Sequence, residues 1–268
     1  MRRAPALLVA GIAIVAAWGL VALAAPFLAT HDPIAINFEA LLQPPGDANY
    51  FGTDNTGRDV FSRVVYGTRY ALYIGLLGVL APMAIGMTIG LVAGYFGGWV
   101  DALAMRLVDV AVPFPFFVLV LAIVAVLGPG IENYFIALAL VGWIGYARLA
   151  RAEALVLRQS EFVLAARTMG FSHPYILARH VLPNALSPVV VYMMTDITLV
   201  ILFGAALGFL GMGAPPPTPE WGIMIAEGSF YISTAWWIAF FPGLAMVMIG
   251  VGFALIGDGL ARWLRLRA

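Results

Sequence analysis

The chain has 268 residues, 63% of them apolar and 10% charged, with a formal net charge of zero and a mean hydropathy of +0.97. Soluble domains carry about a quarter of their residues as charges, so a soluble enzyme, a nucleic-acid binder and a disordered scaffold are poor starting points. At ~20 apolar residues per crossing the length suits about six spans, and the absence of Cys excludes disulfide frameworks, thiolate metal sites and cysteine nucleophiles.

The first uncharged apolar run follows Arg2 and Arg3 and reaches about Leu28, closed by Pro26, His31, Asp32 and Pro33. It is longer than the ~7–15 residues of a signal-peptide core, which favours an uncleaved helix, residues 1–28, over a cleavable signal at Ala22-Leu23-Ala24. Residues 29–69 are polar, punctuated by Pro44, Pro45 and Gly46, and read as an extracytoplasmic loop. From Tyr70 to Val100 there is no charge, and Gly86, Gly90, Gly94 and Gly98 recur at every fourth position, a spacing that lets membrane helices approach closely. A third span is predicted from about Leu103 to Leu127, with Asp109 near its start and Pro113 and Pro115 tolerated inside it. Gly128-Pro129-Gly130 reverses the chain into a fourth span, about Ile131 to Ala150.

Residues 151–185 bring Arg151, Glu153, Arg158, Glu161, Arg167, His173, Arg179 and His180 and must lie in water. A fifth span, about Leu186 to Gly211, contains Asp196; the proline-rich run Gly213–Pro219 after it cannot be regular helix. The sixth span covers about Ala235 to Ile256, and residues 261–268 form a basic tail. Six spans place both termini on one side. On this topology eleven of the fourteen arginines share that side with the 151–185 segment, and only Arg58, Arg63 and Arg69 lie opposite. The basic excess puts the termini and the 151–185 segment in the cytoplasm.

Within that segment Phe162, Ala165, Ala166, Met169 and Gly170 fall at i, i+3, i+4, i+7 and i+8, one stripe of a helix. Gly170 suits a helix stop, Ser172 an N-cap with Pro174 in the permissive first turn, and Pro183 limits the second helix. The spacing fits either an interfacial hairpin covering the bundle or a docking surface for a soluble partner. Asp109 is read as pairing with Arg106 at i−3, with a path-lining role as the alternative; Asp196, nearer mid-span, either lines an aqueous path or makes a structural hydrogen bond. Arg58, Asp59 and Arg63 precede span two on the outer side, as a solvated face or a receptor-facing surface. The three histidines, His31, His173 and His180, lack metal-ligand spacing, so no metal site is expected.

Ala165-Ala166-x3-Gly170 closed by Leu182-Pro183 resembles the EAA loop of ABC importer permeases. Phe51-Gly52-Thr53-Asp54 with Gly57-Arg58-Asp59-Val60, Gly94 to Asp101, Met105 to Asp109, and Phe209 to Gly213 running to Pro216 to Gly222 are similar to the dipeptide and oligopeptide subfamily, in the family's order. The resemblance implies an all-α membrane protein with the type I importer permease fold, its five-helix core spanning residues 70–260 and its 151–185 loop, including His173 and Tyr175, coupling to ATPases. It also implies a second homologous permease, two cytoplasmic ABC ATPase subunits, an extracytoplasmic substrate-binding protein and peptides as solutes. The family's motif glutamate is replaced by Leu164, its usual isoleucine by His180, and its common span-five glutamate and serine by Gly204 and Gly208. No Gly-x4-Gly-Lys-Ser/Thr sequence is present, and with no Lys none is possible, so ATP is expected on partner subunits and no cofactor on this chain. An intramembrane hydrolase would need a nucleophile and base in the spans, which contain no His; a stand-alone secondary transporter or channel would have no use for the docking loop.

Overall fold

The computed structural model describes residues 6–265, so Arg2, Arg3 and Arg267, counted above in the charge asymmetry, lie outside the described residues. Helix α1 (Ala6–Leu23) leads through the short α2 (Ala25–Leu28) into an irregular segment whose one regular piece is a 3-10 turn at Phe38–Ala40. Helices α3 (Val60–Gly78) and α4 (Leu80–Phe96) follow, then α5 (Gly98–Ala111), α6 (Phe116–Leu127), α7 (Ile131–Val141) and α8 (Trp143–Leu157). A hairpin of α9 (Glu161–Thr168) and α10 (His173–Ile176) leads through a π-helical turn, Leu177–Val181, into α11 (Leu182–Phe209). Helices α12 (Trp221–Ser229) and α13 (Trp237–Arg265) complete the described chain.

Five helical runs are long and apolar enough to cross a membrane: Ala6–Leu23, Val60–Phe96, Ile131–Leu157, His173–Phe209 and Trp237–Leu264; α5 and α6 together supply a sixth, bent by 81°. The expected count holds, but several boundaries move. The second run begins at Val60 rather than Tyr70, because Asp59 caps it by accepting the Ser62 N–H at 2.8 Å. Its 37 residues reach about 55 Å at 1.5 Å per residue, beyond the ~30 Å hydrocarbon layer, so the turns bearing Arg63 and Arg69 have room outside it. The third run is not one helix: Pro113 and Pro115 break it between Ala111 and Phe116. Pro183, by contrast, does not stop the helix. The adjoining π-helical turn changes the hydrogen-bond register where the proline lacks an N–H, and the run from His173 to Phe209 stays helical.

The glycine row explains the tightest crossing. Side chains at Gly86, Gly90 or Gly94 would strike the backbone of Trp143, Ala147 and Arg151, so α4 and α8 touch along their whole length only because these positions are bare. Helix α1 packs antiparallel along α13, with Gly11 against Gly252 and Ile256, and Leu8 against Gly259. Buried apolar residues form two clusters. The larger joins α3, α6, α7, α11, α12 and α13 around Val64, Leu138, Val200, Trp221 and Ile249. The smaller joins α4, α8 and α11 to the hairpin through Met87, Tyr146, Val163, Ala166, Ile176 and Val181. Leu20, Leu23, Trp99, Val110 and Val126 are more than half exposed, the pattern of helices that meet lipid or other subunits.

Candidate functional site

The hairpin is built from local rules. Helix α9 ends in a paired backbone closure, with Gly170 N–H donating to the Arg167 carbonyl at 3.0 Å and Phe171 N–H to the Ala166 carbonyl at 3.2 Å. This Schellman geometry needs a left-handed residue, and Gly170 supplies it at φ +80°. Ser172 occupies the N-cap position of α10 in extended conformation, but its side chain makes no capping hydrogen bond; Pro174 does sit in the first turn. Helix α10 with its π-helical turn thus continues into α11 as one helical run, His173–Phe209, which ties the second arm of the hairpin to the span.

The sequence stripe divides between two faces. Val163 and Ala166, at 0% and 1% exposure, turn into the bundle, whereas Phe162, Ala165, Met169 and Gly170 turn out. Ala166 is therefore a packing residue and not part of an outer surface. A helix with one side against a bundle buries about 100° of its circumference, and the sequence centred that arc a residue too early. The open face continues over Phe171, His173, Pro174 and Tyr175, all exposed, with the Phe171 and Tyr175 rings stacked at 4.9 Å. Leu182 is half-buried and Pro183 exposed where α11 leaves the hairpin.

Tyr95, at the end of α4, holds this hairpin in place. Its hydroxyl is 2.9 Å from His173 Nδ1, and the Arg167 guanidinium lies over its ring at 4.7 Å, a cation–π contact. Beside it, Arg151 donates from Nε and a terminal nitrogen to the two Asp101 carboxylate oxygens, joining α8 to the first turn of α5. Arg158 donates to the Gly94 carbonyl at 3.2 Å. The sequence placed Arg151 in the polar segment and Tyr95 and Asp101 in a family-like stretch but gave none of them a role; the signal for one was a polar group beside small residues at the rim of a span.

Halfway along α11, Asp196 accepts from the Tyr146 hydroxyl of α8 at 2.8 Å and lines a cavity of about 350 Å³ shared with Tyr192. Asp109 lies apart, exposed on α5, and among the described residues it forms no ion pair with Arg106 or any other cation within 4.0 Å. The two intramembrane acids thus do not form one site.

The receptor-facing reading of Arg58, Asp59 and Arg63 is corrected by their burial, at 6%, 3% and 1% exposure. Arg58 donates to Asp54 at 2.6 Å and to Glu227 of α12 at 2.7 Å; Arg63 lies 3.7 Å from Asp54 and 3.8 Å from Glu227. Asp59 accepts from Asn49 at 2.8 Å while capping α3. Charges bracketing the start of a membrane helix can be solvated or paired inward, and here the 29–59 segment folds over them.

Glu220 caps α12 by accepting the Gly222 and Ile223 N–H groups at 2.7 and 3.0 Å. It fills the space that a side chain at Gly208 would require, so the small residue at 208 and the acid at 220 fit each other. Burial pushes its carboxyl up to about 7, opposed by the two backbone donors. A group that keeps its proton longer when folded loses stability as pH rises from its unfolded value, ~4.3, through its folded one. The melting temperature of the wild-type protein is therefore expected to fall between pH 5 and pH 7.5 relative to Glu220→Gln, by the equivalent of at most on the order of 3 kcal/mol. Parallel melting curves of the two proteins across that range would contradict this.

The model of the family described as "Binding-protein-dependent transport system inner membrane component" matches residues 86–268. The dipeptide transport system permease protein DppC of Alkalihalophilus pseudofirmus is 41% identical, over 95% of this chain and 84% of that protein. The probable D,D-dipeptide transport system permease protein DdpC of Escherichia coli is 45% identical over 88% of this chain and 79% of its own length. Among solved structures, a chain of the MetNI methionine ABC transporter, in inward-facing conformations, superposes with a TM-score of 0.60 at 18% identity, covering 77% of this chain and 96% of that one; the likeness is one of fold.

Proposed function

This chain belongs to the binding-protein-dependent transport system inner membrane components, and from that membership we propose that it conducts di- or oligopeptides into the cell as one permease of an ATP-driven importer. It is a multi-pass transport permease with the ABC importer fold. Peptides as the solute follow from the dipeptide transport named for two relatives that match most of its length. In the complex we infer, a second homologous permease completes the pathway, two ABC ATPase subunits bind the hairpin, and an extracytoplasmic binding protein delivers the solute. The hairpin end faces the cytoplasm, in keeping with the arginine excess.

The observation that carries this reading is the outer face of the hairpin. Phe162, Met169, Phe171 and Tyr175 are 43 to 69% exposed at the polar end of the molecule, where this chain leaves them uncovered. Contiguous exposed apolar surface of that kind marks an interaction site. The helical run that begins at His173 in the hairpin carries Asp196 in mid-span, so it links the docking end to the wall of the cavity. ATP hydrolysis on the partners can thus drive a permease that has no nucleotide site.

The reading is tested by reconstituting the chain with its companion permease and ATPases in proteoliposomes, with the binding protein outside. Uptake of labelled dipeptides is expected to require ATP and all four kinds of component. Uptake by this chain alone, without ATP, would overturn the importer reading in favour of a stand-alone transporter.

A further inference from the structure

The cavity beside Asp196 adjoins the broken third span. At the 81° corner between α5 and α6, Phe114 and Phe116 line about 350 Å³ of space against α7, α8 and α11, with Phe116 packed on Phe203 of α11, a volume in the range of small-molecule sites. Its walls are mostly apolar, with Phe114, Phe116, Phe203 and Tyr192 among the lining rings. Asp196 is the one carboxyl group among its lining residues, which include no Arg or His.

That carboxyl group is oriented by a hydrogen bond but, among the described residues, has no cation beside it. Tyr146 holds Oδ2 at 2.8 Å and packs edge-to-face on Tyr192 at 4.9 Å; Gly145 is bare where the Tyr192 hydroxyl passes, so the ring is seated by shape. Among the described residues Asp196 has no cationic partner within 4.0 Å, and Oδ1 receives no protein hydrogen bond. A carboxylate accepts several donors, and in mid-span an unpaired one is costly. A carboxylate walled by aromatic rings is the chemistry that recognises an ammonium group, through charge and through the ring faces. An anionic group would be repelled from the same place.

We propose that Asp196 is a binding site for a protonated amine, the ammonium group of the solute that this permease conducts. The assignment to a transported solute rests on the transport reading above, whereas the preference for a cation rests on the cavity alone. Asp196 and Tyr192 contact the amine; Tyr146 is a positioning residue that fixes the carboxylate.

The test uses the full chain in a neutral detergent, titrated calorimetrically with 2-phenylethylammonium chloride and with 2-phenylethanol, its uncharged counterpart, against detergent blanks. The wild-type protein is expected to prefer the ammonium by about tenfold, the scale of one charge-assisted contact plus a ring face. Asp196→Asn should bring the ratio near one, and Asp196→Glu should keep it. Equal binding of the two probes by the wild-type protein, which involves no variant and no folding risk, would overturn the proposal, as would a preference that survives in Asp196→Asn. An ammonium preference in a chain whose reconstituted complex shows no ATP-dependent uptake would instead sink the transport reading and leave the cation site standing.

Discussion

Ala165→Asp is expected to abolish ATP-dependent uptake and co-purification of the ATPase subunits at an unchanged melting temperature, whereas Ala166→Asp one residue on is expected to unfold the hairpin. Ala165 is exposed and Ala166 is 1% exposed. A carboxylate at 165 sits in water, so its effect on stability should stay within about 0.5 kcal/mol, yet it places a charge amid Phe162 and Met169 where a partner would bury it. A carboxylate at 166 lies against Val163 and the smaller core cluster; an uncompensated buried charge costs about 3 kcal/mol or more. Uptake in proteoliposomes, co-purification and melting curves separate the two outcomes. Wild-type uptake by Ala165→Asp would remove the docking role from this face, and equal melting temperatures for the two variants would contradict the division of the stripe.

Much of the architecture was legible because bilayer solvation writes itself into composition. Uncharged runs located the spans, and the glycine period marked a close-packing face on α4, although its partner α8 was not legible and Gly98, the fourth of the period, meets no neighbour there. The hairpin was legible in outline too: Gly170 stands at the left-handed position that the helix stop requires. Prolines were read less well. Pro113 and Pro115 break a helix while Pro183 does not, and the difference lies in a neighbouring π-helical turn that no residue pattern announces. Charges at the span edges were misread for a related reason. Arg58 and Arg63 look solvent-facing by type, and only the tertiary return of the 29–59 segment and of α12 pairs them inward. The Asp59 cap before Val60 was a readable signal for a longer α3, outweighed by the charges that follow it. Tyr146 and Tyr192 carried a weaker one: a hydroxyl inside an apolar span needs a partner, and Asp196 is the partner of one of them.

The paired charges on the outer side lead to the second large effect, because their balance is unequal. Asp54 faces two arginines. It accepts from Arg58 Nε at 2.6 Å and lies 3.7 Å from Arg63, while both its own side chain and that of Arg63 are almost wholly buried, at 2% and 1% exposure. Arg63 contributes less than it receives: its Nε has no hydrogen-bond partner, and it donates from Nη1 to the Pro33 carbonyl at a long 3.3 Å. Asp54→Asn keeps the amide oxygen that could serve Thr56 and the Arg58 N–H but leaves two buried guanidinium groups facing only Glu227, whose side chain is 26% exposed. Breaking a buried charge set from one side costs about 3 kcal/mol or more, and this substitution is expected to reach that loss. Arg63→Met removes the less well paired of two like charges and fills its volume with an apolar chain, so its loss is expected below about 1 kcal/mol. In the double variant one arginine faces one carboxylate again, and the loss should be smaller than the sum of the single losses by about 1 kcal/mol or more. Unfolding titrations of the four purified proteins in one detergent measure the cycle. Additive losses would mean that Asp54 acts only as a hydrogen-bond acceptor in the turn before α3 and that the burial of Arg63 is independent of it.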